Sequence, residues 1–264
     1  MKWKLPAAVI LAAMLTWAAS AGAVDGTIEI NQAKVLAAGG FPYIIGASGS
    51  YRLTSDLTVS SASADAIHVT VNHVTIDLNG FSITTSSSGA NGINGSSAAT
   101  LTVENGTING FGTAGVQVAI NGIVRNVHAD GNGSGIVGGN NTVIEGCTAN
   151  NSTSAIGLTC SGGCAISGNT ANGNNVGIEC SGNGCVISGN TANANLIQGI
   201  TCGGSGCLIS GNTAFNNGTG IFANDATTGY GGNVLKNTTN ISSGTSLGAK
   251  NTNLCTTGGV TSAC

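Results

Sequence analysis

Glu104, Arg125 and Glu145 recur at intervals of 21 and 20 residues, and His128 follows Arg125 by three. If this interval stacks them on neighbouring strands, each carboxylate lies about 4.8 Å from the guanidinium along the stack. An arginine between two carboxylates, with a histidine alongside, has the parts to hold a uronic acid and to take or deliver its proton. The same residues can equally form an exposed cross-strand ion ladder worth little. No lid, aromatic platform or second basic residue accompanies them. The ladder is therefore the reading adopted, and Glu104, Arg125, His128 and Glu145 are kept as candidate catalytic residues. Asp77 precedes them in the same column, and Ser167, Ser188 and Ser210 follow.

The cysteines are the second group able to do chemistry. Cys160 with Cys164, Cys180 with Cys185 and Cys202 with Cys207 come once per repeat, at spacings that zinc ribbons also use. No histidine accompanies them, so a disulfide across each turn is expected in preference to a metal. Pairing between coils is the alternative, since stacked cysteines are also within bonding distance. Cys255 and Cys264 would close the tail and leave Cys147 buried and free. Neither a metal nor another cofactor is expected.

The elements that hold these residues follow from a repeat. Ser167 to Ala171, Ser188 to Ala192 and Ser210 to Ala214 are the same five residues, Ser-Gly-Asn-Thr-Ala, recurring after 21 and 22 positions. Gly115, Gly135, Gly157, Gly177, Gly199 and Gly220 each precede an apolar residue and keep the same register. Within a unit the pattern has period two, broken every few residues by Gly, Asn or Ser, which describes short strands joined by tight turns. A helical solenoid would need longer stretches of good helix formers. Stacked strands bury one narrow column instead. Alternation places Ile178, Cys180, Cys185, Ile187, Asn190 and Ala192 inside, with Glu179, Ser188 and Thr191 outside. The column Asn169, Asn190, Asn212 is expected to be a hydrogen-bonded structural ladder, because buried polar groups demand partners. Asn31 to Ala38, stopped by Gly39-Gly40, predicts a short helix capping the first coil.

Composition agrees. Charged residues are 6% of the chain, far below an ordinary globular domain, while 44 residues are glycine. Aromatics at 4% leave only a thin core of Ile, Val, Leu and Ala. Lys2 and Lys4, an apolar run from Leu5 to Ala18 and Ala21-Gly22-Ala23 describe a signal peptide over residues 1–23. Its removal leaves five basic residues (7 minus 2) against ten acidic ones, which excludes the basic patch that nucleic acid requires. The expected organisation is a signal peptide over 1–23, an N-terminal cap region over 24–60, β-helix coils over 61–240 and a disulfide-closed tail over 241–264. The mature chain is expected to be exported, with no membrane span after signal cleavage.

Val74-Thr75-Ile76-Asp77-Leu78-Asn79-Gly80 resembles the first-coil signature of right-handed parallel β-helix proteins of the pectate-lyase-like superfamily, and the Ile-Ser-Gly-Asn-Thr repeats resemble the same repeat class. Ile28 to Lys34 and Gly49 to Thr54 are similar to the amino-terminal part of bacterial exported β-helix proteins without an assigned function. The resemblance, which covers about residues 24 to 240, implies an all-β, right-handed solenoid. It also implies polysaccharide lyases, hydrolases and epimerases, whose clustered acidic or calcium-binding residues are not matched here. The outward column Gln117, Val137, Thr159, Glu179, Thr201, Phe222 holds one acid, whereas a glycosidase needs two. The first functional reading is a secreted or surface protein with a structural or carbohydrate-binding role, its partner a polysaccharide or cell-surface component. The second is an enzyme on acidic glycans, a lyase, hydrolase or epimerase with a reduced site around Arg125. The third is ice or mineral binding through Thr170, Thr191 and Thr213.

Overall fold

The computed structural model describes residues 26–153, 156–243, 253–257 and 260–264. The signal peptide expected over 1–23 lies outside the described residues. The described chain winds as a parallel β-solenoid whose coils have three faces. The first face is a ten-stranded parallel sheet running from Tyr43–Ile45 to Thr239–Ser243. The second and third faces together make a 19-stranded sheet, folded at a corner that recurs on every coil. At that corner one residue takes a left-handed φ: Asn126 at 53°, Gly146 at 61°, Gly168 at 64° and Gly189 at 66°. Only glycine, and to a lesser degree asparagine, enters this region cheaply, which explains why the Ser-Gly pair recurs in the sequence.

Each face sends apolar side chains inward in stacked rows. Ile136, Leu158, Ile178, Ile200 and Ile221 stack on the first face and Ile144, Ile166, Ile187 and Ile209 on the second, all fully buried. Ala149, Ala171, Ala192 and Ala214 line the third. The six residues placed inside on the coil of Ile178 to Ala192 are all buried there, and Glu179, Ser188 and Thr191 are not.

Two asparagine ladders run through this core. In the expected one, Nδ2 of Asn190 donates to the carbonyl of Ile166 at 2.9 Å and to Oδ1 of Asn212 at 3.0 Å, and the ladder continues to Asn233 and Asn253. A second ladder, Asn174, Asn195, Asn217 and Asn237, runs beside the first face. It accounts for the glycine column, since a Cβ at Gly177 would lie 2.7 Å from Nδ2 of Asn195. The glycines and the second ladder are two halves of one packing arrangement.

The coils begin earlier than position 61. Thr27–Ile30 pairs in parallel with Gly49–Leu53, which pairs with Val74–Asp77, so the region expected to be only a cap already supplies solenoid strands. These coils are longer, as the partners Ile67 and Ile93 are 26 residues apart, and the short period that marks the later coils is lost there. The helix is present as Gln32–Ala37, with Oδ1 of Asn31 accepting the Lys34 amide at 2.9 Å and Val35 buried. At the other end Leu254–Thr257 pairs with Val234–Lys236 and folds back antiparallel onto Val260–Ala263.

Candidate functional site

The column that contains Arg125 keeps the register expected of it. Asp77, Glu104, Arg125, Glu145, Ser167, Ser188 and Ser210 are successive Cα partners along the second face. Nε of Arg125 donates to Oε2 of Glu104 at 2.6 Å, with the arginine side chain 51% exposed and the glutamate 15%. A like pair, Arg52 with Asp77 at 3.2 Å, stands earlier in the row. Glu145 flanks Arg125 on the other side but forms no ion pair within 4.0 Å among the described residues. Its exposed carboxylate is left facing solvent. His128 does not join them. The left-handed corner at Asn126 turns the chain onto the third face, where His128 sits between Thr107 and Thr148.

The corner itself forms a groove of about 1010 Å³ running along the solenoid axis. It is lined by one dipeptide per coil: Arg125-Asn126, Glu145-Gly146, Ser167-Gly168, Ser188-Gly189, Ser210-Gly211 and Gly231-Gly232. Five steps of one strand spacing make it about 24 Å long. The corner amides are occupied by the next coil, as in the bond from Gly168 N–H to the Ser188 carbonyl at 3.2 Å, so side chains supply the polar contacts. Beside the serines on the second face stand Val186 and Leu208, exposed neighbours in register. Across the corner, Thr170, Thr191 and Thr213 point outward in a row on the third face. The groove lining is thus Ser and Gly with charge at the end occupied by Arg125 and Glu145, and an exposed aliphatic row and a hydroxyl row stand on the two faces that flank it.

The outward row of the first face runs as expected through Gln117, Val137, Thr159, Glu179, Thr201 and Phe222. Thr201 is buried, its hydroxyl donating to Oε1 of Gln198 at 2.8 Å. Burial raises the carboxyl pKa of Glu179 above its ordinary value, opposed by a hydrogen bond from Thr159. The cysteines pair within turns, Cys160 with Cys164, Cys180 with Cys185 and Cys202 with Cys207, and Cys255 pairs with Cys264. Cys147 is free and buried, and that burial pushes its thiol up to about 11. No cluster of three or more His, Cys, Asp or Glu side chains able to hold a metal occurs among the described residues. No helix among them is long and apolar enough to cross a membrane.

A β-solenoid of this kind has a family. The family model described as the right handed beta helix region matches residues 43–191, more than half of the chain, and the chain belongs to that family. No curated protein matches it. Among solved structures, the crystal structure of the Dettilon tailspike protein (gp208) is similar at 20% identity and a TM-score of 0.46, over 78% of this chain and 45% of that one. The chain therefore spans less than half of the tailspike structure.

Proposed function

We propose that the protein is an exported β-helix that binds a linear glycan along the corner groove. The observation carrying this reading is the groove's repeat: one Ser-Gly pair on each of three consecutive coils, between the aliphatic Val186 and Leu208 and the hydroxyls of Thr191 and Thr213. A pyranose has an apolar face of C–H groups and an equatorial rim of hydroxyls, and the two rows that flank the groove match those two surfaces. The coil spacing of about 4.8 Å is close to the length of one sugar unit, so successive units meet the same chemistry on successive coils. Four disulfides fit an oxidising compartment and support export.

Binding is favoured over catalysis by the state of the carboxylates. Glu104 is held by Arg125 and only 15% exposed, which leaves Glu145 as the one carboxylate without an ion pair that lines the groove among the described residues. The test is calorimetric titration of linear oligosaccharides of matched length into the protein and into Ser188→Trp, which fills the middle of the groove. Binding that Ser188→Trp weakens at least about tenfold, while Thr159→Trp on the first face leaves it unaltered, is the expected result. Binding indifferent to Ser188→Trp overturns the assignment of the groove. Steady release of shortened or unsaturated products would replace the binding reading with the catalytic one.

A further inference from the structure

Resting on the glycan reading of this groove, we infer that it selects a glycan uncharged along most of its bound length that places a single carboxylate at the Arg125 end. The charge distribution carries the inference. Arg125 is held in place through Nε by Glu104, and its side chain is half exposed at the mouth of the groove. A guanidinium fixed on one edge in this way keeps its remaining N–H donors in a planar fork suited to a carboxylate. One coil along, Glu145 lines the same groove, exposed and without an ion pair among the described residues. It repels an acidic group on the adjoining sugar unit. Beyond it the lining is Ser167, Ser188 and Ser210 with their glycines and then Gly231-Gly232, and among the described residues no charged one lines the groove for the rest of its length.

A polyuronate meets this arrangement badly. Its first carboxylate is accepted by Arg125, its second falls against Glu145, and the remainder lose hydration along a neutral floor that offers no cation in return. A neutral chain ending in, or branched with, one uronic acid has its charge where the cation is and hydroxyls where the serines are. Such a ligand differs from the acidic glycan of the second functional reading.

The experiment compares three oligosaccharides of equal length, one neutral, one neutral but ending in a single uronic acid, and one made only of uronic acids, by calorimetric titration at two salt concentrations. The singly acidic ligand should bind about tenfold tighter than its neutral parent, the gain expected of one charge-assisted contact, and the gain should shrink at high salt. In Arg125→Gln the ratio of the two affinities should fall to about one. In Glu145→Gln the all-uronate ligand should gain affinity more than the other two. An all-uronate ligand that binds the unaltered protein as tightly as the singly acidic one overturns the inference while leaving the groove reading intact. Failure of all three to bind overturns both. Arg125 and Glu145 are surface residues, so their variants fold, and an unchanged circular dichroism spectrum is the check.

Discussion

Asn169 and Asn190 lie on adjacent coils and are joined through one atom: Oδ1 of Asn190 accepts the backbone N–H of Asn169 at 2.9 Å and its Nδ2 at 3.0 Å. Nδ2 of Asn190 in turn satisfies the carbonyl of Ile166 at 2.9 Å, so one side chain closes the polar accounts of two coils.

Asn190→Ala removes both acceptor and donor from a site that water does not reach. Leaving the Asn169 amide and the Ile166 carbonyl unpaired in the core should cost about 3 kcal/mol. Thr191→Ala, its exposed neighbour, should change stability by less than about 0.5 kcal/mol. Urea unfolding of the two variants checks both figures. A midpoint for Asn190→Ala as high as that of Thr191→Ala would show that the ladder is not a source of stability.

The disulfides staple a turn that the fold makes without them. Cys160 stacks on Gly138 in the preceding coil and Cys202 on Ala223 in the following one, and neither partner position is bridged. Removing the middle bond with Cys180→Ala and Cys185→Ala should therefore preserve the fold and cost about 2 kcal/mol, the entropy of a six-residue loop. Thiol titration of the denatured, unreduced protein should find one free group, belonging to Cys147. Loss of the β-sheet spectrum in the double variant would refute the first expectation.

Glu179 provides a dependence on pH. Burial raises its carboxyl pKa above that of the unfolded chain, so the folded state favours the protonated form. The stability this group contributes is full below the unfolded value and is lost as pH rises through the folded one. Glu179→Gln should then stabilise the protein at pH 7 by less than about 1 kcal/mol, a figure lowered by the solvent that still reaches the carboxylate. At pH 3 the variant and the parent should unfold together. A larger gain at pH 3 than at pH 7 would reverse the sign and the argument.

The solenoid is legible in the sequence where the coil is regular. Ser-Gly-Asn-Thr-Ala recurs because the corner needs a left-handed residue, the inner ladder needs Asn and the third face of these coils takes a small apolar Ala, and each demand is local. The coil strands from Thr27 to Val59 escape notice because their turns vary in length and erase the period. The second ladder is harder to see, as Asn174 is followed by another asparagine, Asn175, and no spacing rule says which points inward. The glycine column was its visible partner. The register of Glu104, Arg125 and Glu145 follows from the repeat, but which carboxylate takes the guanidinium depends on rotamers that no spacing reveals. The groove is a property of backbone curvature at the corner, and in sequence Ser-Gly reads only as a turn.

Cys147 occupies the asparagine position of its coil and reproduces most of the asparagine's bonding. Its amide donates to Oδ1 of Asn169 at 2.8 Å, and its Sγ lies 3.5 Å from the carbonyl of Val124, the counterpart of the Ile144 carbonyl that Asn169 satisfies. The thiol also donates to the carbonyl of Glu145 at 3.3 Å. Both sulfur bonds are weak ones for buried backbone groups. Cys147→Asn should extend the ladder by one coil and raise stability by about 1 kcal/mol at pH 7, the difference between a thiol contact and an amide hydrogen bond. The gain should grow at alkaline pH. Burial lifts the thiol from 9.0 to about 11, so the unfolded chain loses this proton before the folded one does. The parent therefore loses stability from about pH 9 upward, by about 2–3 kcal/mol once pH 11 is passed, and the asparagine variant does not share that loss. Urea unfolding of both proteins at pH 7 and pH 10 measures the difference directly, since every other titrating group is common to the two. A variant less stable than the parent at pH 7 would mean that the site, shaped for sulfur, cannot take the extra atoms of the amide, and the ladder would then begin at Asn169 for reasons of volume.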